Sequence, residues 1–511
     1  MRLKTLKFSL LFAAFFLATI LSFFGFLFPG AEKLMFSILL LIALAAAFYR
    51  LEYGLLILSA ELFVGSFGYL FSWPLGAFTL SWRMVLWASV LLAFSLKFLG
   101  QLFKDGGKNV YWQRLKHFSL AKYFALLALF VLIALINGLA RGHSLNLVFS
   151  DFNAWLFFLL LFPVVAVYGS AGGATTRSGG EDGEEQEQKN RFQRLALVFL
   201  AAALWLGLET LGLLFIFSHN LPAGPEIYAW LRKTLLGEMT LSAYGWPRVF
   251  MQSQIFPLIG LILIFWRQRA YGFFRTFLSG RSLVFFILAA LFWSTALISL
   301  SRSFWAGLTV AFIFSLIFIW RRFSCPLSAK GLAWLLLSAV VGFLLLYLAA
   351  TFPYPRPGAF RPEFLERLSN TEEAAATSRW SLLPALSAEI AKTPLFGQGF
   401  GATVTYFSRD PRVLAQNPTG LYTTYAFEWG YLGLWLKLGL LGLFTYFWLL
   451  FKVVIAGFKK KPSPSPYLSP GLASGIIFLA AINVFSPYLN HPLGIIFLLI
   501  SSCLILADRV Y

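Results

Sequence analysis

Long apolar runs, repeated from one end of the chain to the other, set the terms on which it can fold. Residues 8–28, 34–48, 51–71, 82–99, 121–139, 154–167 and 195–217 form the first set. Residues 250–266, 283–300, 304–320, 332–350, 431–451, 474–485 and 493–507 form the second. A helix needs about 20 mainly apolar residues to cross a bilayer, and most of these runs meet or approach that length. Only 12% of the 511 residues are charged, about half the share usual in a soluble domain, which leaves too little polar surface to cover a globule in water. The predicted fold class is therefore all-α and polytopic: about 12–14 transmembrane helices with one large extracytoplasmic loop containing short helices. Little more than Arg50 separates the second run from the third, so that pair reads either as two spans or as a span and a re-entrant segment.

The net charge of +20 would suggest nucleic acid in a soluble protein. Here the cations sit in short clusters between apolar runs and form no continuous basic face, so the pattern excludes a nucleic-acid partner. It follows the positive-inside rule instead. Lys104, Lys108, Arg114 and Lys116 form one cluster, and Arg267, Arg269, Arg275 and Arg281 another. Arg321, Arg322 and Lys330, then Lys459, Lys460 and Lys461, form the others. All fall on one side if both termini are cytoplasmic. The basic N-terminus before residues 8–28 imitates a signal peptide, but the run exceeds an h-region of about 7–15 residues and reads as a retained first helix. Two cysteines, Cys325 and Cys503, lie on or near the cytoplasmic side and predict no disulfide. The histidines, His117, His143, His219 and His491, are scattered, and no Cys/His cluster has zinc spacing.

Five regions result: N-terminal transmembrane helices at 1–168, a linker at 169–194, central transmembrane helices at 195–350, the loop at 351–433, and C-terminal transmembrane helices at 434–511. The linker is Gly/Ser-rich and then acidic, a composition that buries no core and predicts cytoplasmic disorder. The loop balances Arg356, Arg361, Arg367, Arg379, Lys392, Arg409 and Arg412 against seven acids, among them Glu366, Glu389 and Glu428. At about eighty residues it is long enough for helices of its own.

Four motifs lie in or beside that loop. Ser299-Leu-Ser-Arg-Ser303 precedes the run at 304–320. Arg302 there is either an interfacial cation that snorkels to water or a planar fork of donors for phosphate. The segment 381–391 has helical apolar spacing despite Pro384, with Thr377 or Ser378 as its cap. Arg379 would then lie in the first turn, beside exposed N–H groups that favour an anion, or on a solvated face. Pro394-Leu-Phe-Gly-Gln-Gly-Phe-Gly401 follows a helix, where a phosphate-cradling loop would precede one, and so reads as a helix stop and tight turn. Glu428 closes a stretch rich in aromatics just before the run at 431–451. It reads as a partner for Arg302 or Arg379, as a base, or as an interfacial acid at a helix N-terminus. Tyr422, Tyr425 and Trp429 suit an aromatic belt or stacking on sugar rings.

In this order the motifs resemble the O-antigen ligase and O-antigen polymerase superfamily of bacterial membrane glycosyltransferases. Ser301-Arg302, Arg379, Pro394-Leu-Phe-Gly397-Gln-Gly399 and Tyr422…Glu428-Trp-Gly430-Tyr-Leu-Gly433-Leu434 match its parts, over roughly 285–451. The resemblance implies transfer or polymerisation of a glycan from an undecaprenyl-diphosphate-linked donor at the outer face of a bacterial cytoplasmic membrane. It implies diphosphate binding by Arg302, Arg379 and Arg367, catalytic roles for Glu428 and Arg379, and sugar binding by Tyr422, Tyr425 and Trp429. Membrane lipid and other polysaccharide-assembly proteins are the implied partners, with no metal or cofactor. One feature departs from the pattern. Ligases of the family carry a histidine before the Tyr stretch, and this chain has Thr419-Gly420, or Gln416-Asn417 in a shifted register. His491, in Asn490-His-Pro, is either a substitute base or an ordinary turn histidine. Two other readings fit the composition: a transporter or flippase for polysaccharide or lipid-linked sugar, and a non-catalytic envelope scaffold.

Overall fold

The computed structural model describes residues 2–76, 78–104, 110–169, 181–241, 247–271, 280–323, 329–353, 374–408, 410–459 and 465–507. The first helices are α1 (Arg2–Leu27), α2 (Pro29–Tyr49) and α3 (Leu51–Val64), then a hairpin of β1 (Ser72–Leu75) and β2 (Phe78–Ser81). Next come α4 (Trp82–Lys104), α5 (Val110–His117), α6 (Ala121–Ala140), α7 (Leu145–Phe152), a 3-10 turn (Asn153–Leu160) and α8 (Leu161–Tyr168). Helices α9 (Glu181–Ser218) and α10 (Gly224–Thr234) lead into the hairpin β3 (Glu238–Leu241) and β4 (Pro247–Phe250). The central helices are α11 (Ile255–Tyr271), α12 (Gly280–Ile298), α13 (Arg302–Phe323) and α14 (Ala329–Thr351). The loop region holds α15 (Ala374–Lys392), β5 (Val404–Phe407), α16 (Pro411–Gln416) and β6 (Leu421–Thr424), with β5 and β6 antiparallel. Helices α17 (Gly430–Phe458), α18 (Leu468–Ile482) and α19 (Pro492–Ala507) complete the bundle.

Among the described residues, nine helical segments are long and apolar enough to cross a membrane, and Ser282–Ile298, Leu468–Ile482 and Pro492–Ala507 are shorter apolar helices. Each apolar run named from the sequence contains helix. The protein is an all-α polytopic membrane protein, as predicted. On α14 the stripe Leu332, Leu336, Val340, Phe343, Leu344 and Leu348 is exposed, at the spacing of one helical face, which is where lipid belongs. The opposite face approaches α12 at Gly342, where a Cβ would meet the Ala290 carbonyl and Trp293. Small residues at such crossings let backbones close in. Polar contacts add to the packing: the Trp266 indole donates to Ser474 Oγ at 2.9 Å and to Ser315 Oγ at 3.2 Å, joining α11, α18 and α13.

Arg50 alone links α2 to α3, with extended backbone, and the two helices pack antiparallel as a pair. The 14 residues of α3 cover only about 21 Å at 1.5 Å per residue. The irregular stretch that continues it needs its own partners, because backbone at membrane depth must be hydrogen-bonded. Arg83 supplies one, donating Nη1 to the Ser66 carbonyl at 2.7 Å while clasping both oxygens of Glu61 at 2.8 and 3.0 Å.

The linker expectation needs correction. From Glu181 onward the acidic segment is helix, the N-terminal part of α9. Polar partners explain why: Glu187 accepts from Arg50 at 2.7 Å and from Arg194 at 3.1 Å, and Arg194 Nε reaches Glu52 at 2.6 Å. Composition alone could not show that α2 and α3 bring an arginine and a glutamate to meet it.

Candidate functional site

All three hairpins, α10 and α15 gather at one end of the bundle. There α12 ends and α13 begins through a turn tight enough to hold Leu300 in left-handed backbone, φ 47°. The turn is pinned by Arg248, whose Nε donates to the Ser299 carbonyl at 2.8 Å. Arg302 is the first residue of α13 and is half-buried. Its neighbour Ser303 shares a hydrogen bond of 3.0 Å with Ser486, in the turn between α18 and α19. Phe485, beside Ser486, packs on Trp429 with ring centroids 5.2 Å apart.

Trp429 is the junction. Its indole N–H donates to the carbonyl of Arg379 at 2.9 Å, and its ring meets Trp380 edge-on at 5.4 Å. The Arg379 side chain turns to Glu428 and forms an ion pair, Nε to Oε2. Both partners stay open to solvent, 36% and 52% exposed, so the pair is accessible to a ligand. Of the two partners the sequence offered Glu428, the structure selects Arg379. The cap expectation changes: Thr377 and Ser378 lie inside α15, which already includes Ala374, so Arg379 lies beyond its first turn. Arg367 lies outside the described residues.

Tyr422, on β6, is exposed and meets Tyr406 across the hairpin with centroids 6.0 Å apart. Tyr425 is half-buried, and its carbonyl faces inward. In the Thr419-Gly420 pair, Gly420 adopts φ 72° and packs on Phe407. Asn417 Oδ1 accepts from the Thr419 hydroxyl at 2.8 Å, making the turn into β6. His491 is a turn histidine: its Nδ1 accepts the Leu493 N–H at 3.3 Å, capping α19. Packing, with Phe67 edge-on at 5.5 Å, and the Arg83 charge push its pKa well below the ordinary histidine value.

The glycine segment behaves as predicted and does more. Gly397, Gly399 and Gly401 all take positive φ, near 72°, 87° and 81°, after α15 has ended. The turn they make is inserted into the bundle. Helix α17 is broken at Gly439 (φ 74°, ψ 175°). In a continuous helix the N–H groups of Leu440 and Leu441 would bond to the carbonyls of Leu436 and Lys437. Instead Leu440 N–H donates to Pro394 O at 2.8 Å and Leu441 N–H to Leu395 O at 3.3 Å. The vacated carbonyls accept from Gln398 N–H at 2.6 Å and Gly399 N–H at 3.2 Å. Two helical hydrogen bonds are exchanged for four to the loop, so the break leaves none of these groups orphaned. On the other side Phe400 N–H donates to Ala134 O at 3.1 Å, and Asn137 to Gly397 O at 3.1 Å, both on α6. Gln398 ties back to α15 through the Glu389 carbonyl and carboxylate, at 2.8 and 2.9 Å. That bond and Lys392 hold the Glu389 carboxyl below its ordinary pKa.

Beneath the turn lies a charged pair that sequence reading missed. Lys437, on the first half of α17, bonds to Asp151 at the end of α7. Its Nζ also donates to the Tyr425 carbonyl at 2.8 Å, and Asp151 Oδ2 accepts the Gly401 N–H at 2.8 Å. Both side chains are more than nine-tenths buried. Lys437 was readable in principle, as a lone cation inside an apolar run. Asp151 sits just ahead of the run at 154–167 and carried no such mark. His143 also reaches the turn: a carbonyl only accepts, so its Nδ1–H donates to Phe400 O at 2.8 Å.

Residues 284–447 match the family model described as O-Antigen ligase. Over that segment the chain is similar to O-antigen ligases. No curated protein and no solved structure matches the chain. The likeness supports glycan transfer in surface-polysaccharide biosynthesis in general terms. The matched segment begins within α12 and ends within α17, so it contains Arg302, Arg379, Glu428, the inserted glycine turn and Lys437. Asp151 lies upstream of it.

Proposed function

We infer that this protein transfers or polymerises a glycan from an undecaprenyl-diphosphate-linked donor at the outer face of a bacterial cytoplasmic membrane. The reading rests on one observation above all: an accessible Arg379–Glu428 pair at the mouth of a lipid-facing bundle, inside the segment similar to O-antigen ligases, one layer of aromatic contacts from Arg302. The basic clusters in the sequence support cytoplasmic termini. The donor's lipid would stay in the bilayer, and its diphosphate would lie among Arg302, Arg379 and Arg367.

In this mechanism the resting ion pair is a placeholder. An incoming diphosphate competes for the Arg379 guanidinium, which suits phosphate geometry, and releases the Glu428 carboxylate. An acceptor sugar hydroxyl attacks C1 of the donor, its proton passing to Glu428. The C1–O bond to the diphosphate breaks, and the electron pair leaves with the diphosphate, whose charge the arginines stabilise. Tyr422 offers an exposed ring to sugar, and Trp380, 63% exposed, offers a second. Tyr425 and Trp429 would line the site from below, Trp429 by fixing Arg379. Other polysaccharide-assembly proteins would supply the donor and receive the product.

Arg302→Ala and Arg379→Ala test the reading. Each should abolish long-chain surface glycan at unchanged protein level, and lower transfer by purified protein about 10²–10³-fold, the usual effect of removing one charge-stabilising donor. Normal glycan in both variants would overturn it.

A further inference from the structure

The buried Lys437–Asp151 pair has no place in the chemistry above, and stability explains it poorly. Removing two charges from water costs several kcal/mol per ion, and well-packed apolar residues commonly serve a fold as well or better. Its contacts are more specific than stability requires. Lys437 is about 10 Å along α17 from Gly430 at 1.5 Å per residue, well inside the bundle. From there its ammonium reaches the carbonyl of Tyr425, three residues before Glu428. Asp151 uses one oxygen for Lys437 and the other for the Gly401 N–H. One pair thus joins α7, the inserted glycine turn, the strand leading to Glu428, and the half-helix above the Gly439 break.

We propose that Lys437 and Asp151 are positioning residues, a directional latch that sets the height and orientation of the Tyr425–Glu428 segment, and with it the Arg379–Glu428 pair, against the bundle. The claim rests on the glycan-transfer reading only for its functional consequence. Its direction follows from donor and acceptor identity. Tyr425 O needs a donor at position 437, and Gly401 N–H needs an acceptor at position 151. A neutral pair, Lys437→Gln with Asp151→Asn, can keep every bond: the Gln amide donates to Tyr425 O and accepts from the Asn amide, whose oxygen accepts from Gly401. A reversed pair, Lys437→Asp with Asp151→Lys, keeps the ion pair but sets acceptor against acceptor and donor against donor.

The test uses full-length protein with Cys325→Ser and Cys503→Ala. Spin labels are placed at Leu421→Cys on the hairpin and Ala223→Cys at the start of α10, with the inter-label distance and glycan transfer measured together. The native pair should give one narrow distance. Lys437→Met and Asp151→Leu alone should broaden it and lower transfer at least about tenfold, because each strands a buried charge. The neutral pair should restore both, and the reversed pair neither. A narrow distance in Lys437→Met, or rescue by the reversed pair equal to that by the neutral pair, would overturn the latch. Expected distances in every variant, with no transfer even by the native pair, would leave the latch standing and remove the enzymatic reading instead.

Discussion

Glu428 and His491 show how two side chains offered by the same sequence separate once their surroundings are known. Glu428 is solvent-facing, shares its charge with Arg379, and stands where a ligand can break that pairing. His491 is spent on capping α19 and packs against Phe67 and Tyr488. Glu428→Gln should lower glycan transfer by about 10²–10⁴, the contribution expected of a general base. His491→Asn, which keeps a cap acceptor, should stay within about twofold by the interchangeability of polar caps. Kinetics of the purified variants check both, and an inactive His491→Asn of native stability would return the histidine to the chemistry. Arg302 and Glu428 stand out in the sequence as charges at the edge of an apolar run, and Arg379 as a charge at the start of a helical segment. The sequence left the partner of Glu428 open between Arg302 and Arg379; the choice depends on contacts across 49 residues, among them the Trp429 indole bond to the Arg379 carbonyl. Asp151 was invisible for the reverse reason: an acid beside a span looks like any interfacial acid until the lysine that faces it is known.

Among the elements, α17 departs most from what its composition suggests. Its apolar run reads as one uninterrupted helix, and only the backbone at Gly439 reveals two. That glycine occupies a region of conformational space nearly closed to other residues, and a Cβ there would collide with Leu395 and Phe396. Gly439→Ala should cost at least about 1–3 kcal/mol in backbone strain alone, before the collision is counted. The thermal transition of the detergent-solubilised protein should fall by several degrees, with transfer activity lost in parallel. A variant as stable and active as the native protein would show that the break is dispensable. The glycine turn before it was correctly read as a helix stop, because positive-φ glycines after a helix carry that meaning locally. Its insertion between α6 and α17 depends on hydrogen bonds to residues hundreds of positions upstream and dozens downstream, which no local pattern encodes. The N-terminal part of α9 followed the same logic, a segment of disorder-like composition made helical by Arg50 and Glu52.

For the molecule as a whole, the alternation of apolar runs and basic clusters described the bundle well, since lipid imposes the same length and polarity on each crossing. The hairpins and α15 collect at one end, and the helix ends that carry Arg114, Arg267 and Arg321 point away from it. A membrane-impermeant maleimide applied to intact cells should therefore label Leu421→Cys, and should label Val110→Cys only after lysis, in the Cys325→Ser, Cys503→Ala background. The opposite pattern would invert the orientation and place the Arg379–Glu428 pair on the wrong side for an outer-leaflet donor. The exchange of bonds at Gly439 bears on how such proteins diversify. The loop cannot be lifted out as a cassette and grafted onto another bundle. Four backbone groups of α17 and four of the inserted turn would each lose a partner, at about 1–3 kcal/mol apiece when buried. Changes at the exposed rim, around Tyr422 and Trp380, leave all of these bonds intact.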